Sequence, residues 1–354
     1  MSSTSSSFRR NARWAIGGIG SEFWNNIFVR PLSKILPRKK EVSSNNNRDL
    51  AIVTGATGGI GVEICRGLLK RNYDVLLLAR NVQKGKELEQ TLLQEQQQQQ
   101  QNRAIFVEYH ADQTVSSSFD TIVDAIIKKD RRVSVLVNNA GVMSGTKSET
   151  FRINLVAPTL LTIAMLPFFS NKKAVVVNVG SSSHLRASKV QDYSDDDEEI
   201  IDTDLSAYAE SKLGLMQFSN ILRLTTTTTV YDAHPGLVWT PLLKKNFPGA
   251  KLFEKFGFNR ILYKSPEEGA ATILAAVDAG RKKTKEKSSS YYVNRKEGGY
   301  ASPESKDTVL SKELWNTILG PMVQKTIPVG YKEINDNLVG SEQQQCDDDN
   351  DDSP

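Results

Sequence analysis

The octapeptide Thr54-Gly55-Ala56-Thr57-Gly58-Gly59-Ile60-Gly61 sits between an apolar run, Leu50 to Val53, and a helical pattern, Ile60 to Arg71. A strand that feeds a helix through so many glycines leaves few folds open. Gly55 permits a tight turn, Gly59 lets backbone approach a pyrophosphate, and Gly61 allows the helix to pack close, with free helix N–H groups facing an anion. A glycine-rich turn without a ligand would explain the bend but not three glycines. Thr57, Gly58 and Ile60 belong to the same turn and are candidate cofactor-binding positions with Gly55, Gly59 and Gly61.

Five further apolar runs follow: Val75 to Ala79, Ala104 to Val107, Val133 to Val137, Ala174 to Val179 and Val230 to Ala233. They are rich in Val, Leu and Ile without polar alternation, as strands buried on both faces are. Amphipathic stretches lie between them, including Phe119 to Lys129, Phe151 to Phe169 and Leu205 to Leu224. This order predicts an α/β fold, a doubly wound parallel sheet of the Rossmann type in a single domain. At the end of the second strand, where an acid would bind a ribose 2′-hydroxyl, the sequence reads Leu78-Ala79-Arg80. Arg80 suits a 2′-phosphate or stacking on adenine, which favours NADP(H) over NAD(H); a solvated Arg opening the next loop is the plain alternative. Asp112, past the third strand, has the chemistry to accept from an adenine amino group or to cap a helix.

Composition removes several classes. Three His (His110, His184, His234) and two Cys (Cys65, Cys346) are all the chain has, none at metal-site spacing, so neither a metal centre nor thiol redox chemistry is predicted. Both thiols read as free. Residues 1–48 carry nine Lys/Arg against two acids, and residues 341–354 carry six acids and no base, leaving a net charge of +3 for the 292 residues between. That middle shows no basic face of the kind nucleic acid requires. Residues 1–48 therefore read as a basic leader, residues 49–330 as the nucleotide-binding domain and residues 331–354 as an acidic disordered tail. Within the leader, residues 14–36 place Ile16, Ile19, Phe23 and Ile27 on one helical stripe, which suits a membrane surface; a presequence for mitochondrion or plastid and a disordered leader are the alternatives. Membrane-associated and intracellular is the localisation expected. The apolar stretch Leu155 to Phe169 is too short to span and reads as a core helix.

Tyr208 and Lys212 stand one helical turn apart on one face. A cation about 5 Å from a phenol, at an effective dielectric near 20, favours phenolate by roughly 3 kcal/mol, or about two pKa units. The phenol could then exchange a proton with a substrate oxygen while hydride moves to or from carbon. Taken singly, a Tyr and Lys four apart are also ordinary surface partners, and a Ser after a strand an ordinary turn residue.

Together with the glycine turn, Asn138-Asn139-Ala140-Gly141, Asn178-Val179-Gly180-Ser181 and Tyr208-Ala209-Glu210-Ser211-Lys212 resemble the classical short-chain dehydrogenase/reductase family. The resemblance implies that Ser181 orients the substrate oxygen, that Lys212 also holds the nicotinamide ribose, and that Asn154 completes a tetrad through water. Ser182 and Ser183 compete with Ser181, which fits the family spacing as third after Asn178. It further implies cofactor contacts from Asn138, Ala140 and Gly141, and from Pro235, Gly236, Val238 and Thr240 in the turn after the sixth strand. Gly298-Gly299-Tyr300, Ser302-Pro303 and Leu314-Trp315 are similar to the retinol-dehydrogenase-like branch, whose members act on lipophilic carbonyls. The activity so implied is NADP(H)-dependent interconversion of a lipophilic carbonyl and its alcohol, with a homodimer as a family assembly. An NADP(H)-binding regulatory or scaffold protein at a membrane, with little turnover, is the rival reading. Two departures border the substrate side: a short stretch from Gly141 to Asn154, and an insertion from Arg186 to Leu205 with eight acids, expected to be a solvated flap.

Overall fold

The computed structural model describes residues 49–96, 103–111, 116–129, 131–170, 174–193, 200–245, 254–255, 262–282, 291–327 and 330–338. The leader, Asp112, Cys346 and the chain after residue 338 lie outside them. Six strands stand where the apolar runs predict, each within a residue or so: β1 (Leu50–Thr54), β2 (Asp74–Ala79), β3 (Ala104–Glu108), β4 (Val133–Asn138), β5 (Val175–Val179) and β6 (Thr229–His234). Every residue of β1, β2, β4 and β5 is buried, because helices cover both faces.

The sheet order is β3-β2-β1-β4-β5-β6-β7-β8, all parallel except the last pair. The chain builds outward from β1 to β3, then returns to lay β4 on the other side of β1. That reversal opens a crevice at the carboxyl ends of β1 and β4, the place where doubly wound sheets bind ligands. The two strands that the apolar pattern did not predict, β7 (Tyr291–Val293) and β8 (Lys296–Glu297), are too short to show a period, and β8 is fully exposed.

The helix after β1, α1 (Gly59–Lys70), buries Ile64, Cys65, Leu68 and Leu69. The next, α2 (Val82–Glu95), is so polar that only Gly85, Leu88 and Leu92 are buried. It is followed by α3 (Ser116–Lys129) before β4. The segment after β4 is one long helix in three pieces, α4 (Lys147–Phe151), a π turn (Arg152–Val156) and α5 (Ala157–Met165). By length and composition this helix could cross a membrane, yet most of it is buried in the domain, as the core-helix expectation has it. The helix carrying Tyr208 is α6 (Ser206–Thr225), with fifteen buried residues out of twenty. After β6 come α7 (Pro241–Lys245) and α8 (Pro266–Lys282), which packs on α1.

The C-terminal part adds α9 (Pro303–Lys306), α10 (Thr308–Leu314), a π turn (Trp315–Leu319) and α11 (Gly320–Thr326). The expected tail boundary at residue 331 is corrected here, since residues 330–338 are helical. Ile334 and Leu338 are buried, Tyr331 stacks on Trp315, and Asn337 Nδ2 donates to Thr225 O at 2.8 Å. The stripe Tyr331, Ile334, Leu338 has helical spacing, hidden in the sequence by the acids further on.

Candidate active site

Glycines set the geometry of the turn after β1. Gly55 has φ +62°, and a Cβ there would lie 2.9 Å from Ala140 Cα, so the turn is closed against the end of β4. A Cβ on Gly61 would lie 2.2 Å from Gly55 O, which is why the helix can start this close. Gly59 is different: its nearest neighbours to such a Cβ are Thr240 Cγ2 and Pro241 Cδ at 3.5 Å, so the glycine turn and the segment after β6 face one another. Gly58 caps α1 in extended backbone with no side-chain cap, and the first turn holds no acid, leaving the N-terminal amides around Ile60 for an anion. Thr57 is partly buried in the turn. Ala56 N donates to Leu78 O at 3.1 Å, which sets exposed Arg80 at the same end of the sheet. Asn81 caps α2 by accepting from Lys84 N at 2.8 Å, and that helix also has no acid in its first turn. Asp112 lies outside the described residues, but Tyr109 N donates to Ala79 O at 3.1 Å, tying the end of β3 to the Arg80 strand.

Thr54 joins this turn to β4, its Oγ1 accepting from both Asn139 N and Ala140 N at 2.9 Å. Asn139 Nδ2 returns the contact by donating to Thr54 O at 3.0 Å and Gly55 O at 3.2 Å. Asn139, for which its motif alone implies no role, thus pins the glycine turn with its side chain. The buried side chain of Asn138 donates to Asn178 Oδ1 at 2.8 Å and Thr162 Oγ1 at 3.0 Å, which ties β4 to β5. The polar path continues from Asn178 Nδ2 to Ser219 Oγ at 2.8 Å, and from there to Asp232 Oδ1 at 2.7 Å, where Arg223 Nη2 meets the carboxylate at 2.7 Å.

The four tetrad candidates converge beyond β4 and β5. Asn154 lies in the π turn, and its side chain clamps Val142, accepting from Val142 N and donating to Val142 O, both at 2.8 Å. Such turns interrupt helices where a side chain must be re-aimed. Asn154 Nδ2 also meets Ser211 Oγ at 3.2 Å, and Ser211 Oγ donates to Tyr208 O at 2.8 Å. A Cβ on Gly141 would lie 3.1 Å from Asn154 Oδ1 and 3.6 Å from Lys212 Nζ, so these three meet. Lys212 Nζ donates to Val179 O at 2.9 Å and lies 5.9 Å from the centre of the Tyr208 ring. Ser181 lies beside the Tyr208 phenol and favours its ionised form. Its Oγ accepts from Ser183 N at 3.1 Å, whereas Ser182 is exposed.

The electrostatics correct one expectation. Tyr208 was expected low because of Lys212; burial instead pushes its phenol up, with Ser181 pulling the other way. Burial likewise pushes Lys212 down to about 8. In dry surroundings a phenolate and an ammonium each lose hydration, and that loss dominates both shifts. Burial pushes His234 down to about 4, with the Lys264, His184 and Lys212 charges acting the same way and a backbone hydrogen bond to Gly180 opposing.

Pro235 and Gly236 (φ +89°) turn the chain after β6. Val238 is buried and bridges to Lys264, and Thr240 Oγ1 accepts from Leu243 N at 3.4 Å. Thr240 thus borders the glycine turn while Tyr208 borders the end of β5. His184, which the sequence reading left without a role, is fully buried: its Nδ1 meets Ser181 O at 2.6 Å and its Nε2 accepts from Ser302 N at 3.3 Å. No nearby motif announces it, because both of its partners are backbone atoms.

The family model of short chain dehydrogenases matches residues 49–194. Among curated proteins, dehydrogenase/reductase SDR family member 13 of Bos taurus is 31% identical over 63% of this chain and 60% of its own length. Polyprenol dehydrogenase of Homo sapiens is 31% identical over 64% of this chain and 72% of its own. Retinol dehydrogenase 12 of Mus musculus is 27% identical over 75% and 84%. Among solved structures, actinorhodin polyketide ketoreductase with NADPH shares the fold, at TM-score 0.53 and 22% identity, over 66% of this chain and 92% of that one.

Proposed function

This chain belongs to the short-chain dehydrogenase family, in its retinol-dehydrogenase-like branch, and on that premise we propose that it reduces a lipophilic aldehyde or ketone to its alcohol with NADPH, reversibly. The observation that carries the proposal is the meeting of Ser181, Tyr208, Lys212 and Asn154 at the carboxyl ends of β4 and β5, beside a glycine turn that faces Thr240. The residues fit a dinucleotide: an uncapped, acid-free helix start at Gly58 and Gly59 for the pyrophosphate, Arg80 for a 2′-phosphate, and the Lys212 ammonium for a ribose hydroxyl.

NADPH, when bound, supplies the hydride. The chain's part is to place the carbonyl and to handle one proton. Ser181 donates to the carbonyl oxygen, and Tyr208 gives that oxygen its phenolic proton as the carbon is reduced to C–H. A phenol held up by burial keeps its proton at neutral pH, which suits the donor role in reduction. Lys212, at about 8, is mostly charged at pH 7 and offsets the phenolate left behind until solvent returns a proton. Asn154 fixes Val142 and Ser211 around this pair.

Two features support a lipophilic substrate. Retinol and polyprenol, named in the relatives, are lipid alcohols. Leu185, Ile200, Ile201 and Leu237 are exposed on the two loops that follow β5 and β6, on the side where the tetrad lies. The test is oxidation of NADPH and NADH by the purified protein against a panel of lipophilic aldehydes and ketones. Turnover preferring NADPH is expected; cofactor binding with no turnover on any of them would favour a regulatory or scaffold role.

A further inference from the structure

The acidic insertion is expected from its composition to be solvated throughout, yet Asp202, one of its eight acids, is buried at 3% exposure. Its carboxylate turns into the start of α6. Oδ2 accepts from Tyr208 N at 2.9 Å, and Oδ1 accepts from Ala207 N at 3.2 Å and from Ser206 Oγ at 3.3 Å. The residue formally capping α6, Leu205, has φ +59° and no side-chain cap, so Asp202 supplies from outside the helix what its own cap cannot.

Asp202 and the two residues before it, Ile200 and Ile201, hold a second helix. Asp202 N donates to Gly145 O at 3.0 Å, Lys147 N donates to Ile200 O at 2.8 Å, and Ile201 bridges Thr146 in antiparallel sense. Thr146 is the cap of α4, its Oγ1 accepting from Glu149 N at 3.0 Å, and that helix runs on into the π turn with Asn154. Residues 200–202 therefore fasten the start of the helix that carries Tyr208 to the start of the helix that carries Asn154. At the far end the two are joined again by Asn154 Nδ2, Ser211 Oγ and Tyr208 O.

We infer that Asp202 is a positioning residue for Tyr208: its carboxylate fixes the first turn of α6, and with it the place of the phenol against Ser181 and Lys212. The inference rests on the reductase reading. A buried carboxylate on two backbone amides at a helix start is a charge-assisted pair of bonds that water does not replace in place. Its loss leaves the amides of Ala207 and Tyr208 without an acceptor and frees the first turn, while Lys212, one turn on, keeps Val179 O. Cofactor affinity should therefore survive and the proton-transfer step should suffer.

The experiment compares, in the full chain, Asp202→Ala, Asp202→Asn and, as a neighbouring-acid control, Asp204→Asn, which keeps the Oδ1 that accepts from Ser206 N at 3.1 Å. It reads amide hydrogen exchange over residues 206–209, NADPH affinity, and kcat per NADPH-binding site well below each variant's melting temperature. Asp202→Ala is expected to speed exchange at least about tenfold and to lower kcat about tenfold, with NADPH affinity within about twofold. Asp202→Asn, which keeps one acceptor oxygen, is expected between it and the native protein, and Asp204→Asn close to native. A structural role alone would lower the melting temperature but leave kcat per NADPH-binding site unchanged. That result, or native-like exchange in Asp202→Ala, overturns the inference. If the native protein reduces nothing, the reductase reading has failed, and the exchange measurement alone decides whether Asp202 holds the first turn.

Discussion

Lys212 is buried and hydrogen-bonded to one carbonyl, Val179 O at 2.9 Å, and burial pushes its ammonium from the ordinary 10.5 down to about 8. Replacing it with Met removes a titrating group of similar length and leaves the surroundings apolar. At pH 7 the native Lys is almost fully protonated in both folded and unfolded chains, so the titration adds almost nothing to the difference between the two proteins. Between pH 8 and 10 the unfolded chain still holds the proton while the folded one has lost it, and the folded state gains stability as pH rises. Integrated from pH 7 to 10, the gain of the native protein over Lys212→Met is about 2 to 3 kcal/mol. For a domain of this size that is roughly 5 °C in melting temperature. The loss of the bond to Val179 O shifts the variant by a constant amount, because the neutral amine donates as the ammonium does. The assay is thermal unfolding of both nucleotide-free proteins at pH 7, 8, 9 and 10. A difference in melting temperature that stays flat across this range would refute the burial argument and, with it, the account of a weakened ammonium beside Tyr208.

Arg80→Ala should weaken NADPH binding at least about tenfold and leave NADH nearly unchanged, as loss of a charge-assisted bond to a phosphate would; fluorescence titration with both nucleotides measures it. Gly61→Ala places a Cβ 2.2 Å from Gly55 O, so a destabilisation of about 2 kcal/mol and loss of nucleotide binding are expected, read by denaturant unfolding and titration. Deleting residues 1–40 should abolish flotation with liposomes, as the amphipathic stripe in residues 14–36 predicts. Undiminished flotation would remove that segment as the anchor.

The sheet was legible because its strands are continuous apolar runs. The turn after β1 was legible because only glycine tolerates the approach of Gly61 to Gly55 O. Hidden features have a common cause. Asp202, His184 and Asn139 work through backbone atoms, which carry no residue identity for a sequence pattern to show. Composition pointed the wrong way for Asp202, since an acid among acids reads as solvated. β7 is three residues long and takes its place from pairing with β6, not from a pattern of its own. Asn138 and Asn139 share one motif, and only the fold reveals that the first turns into the sheet while the second holds the glycine turn.

The most direct test of the central claim is Tyr208→Phe, measured beside the native protein for NADPH affinity and for turnover on a carbonyl that the native protein reduces. The ring stays and only the proton donor goes. The account predicts NADPH affinity within about twofold and a fall in kcat of at least about a hundredfold, the scale on which general acid catalysis acts. A variant that reduces the same substrate at the native rate would show that Tyr208 does not carry the proton.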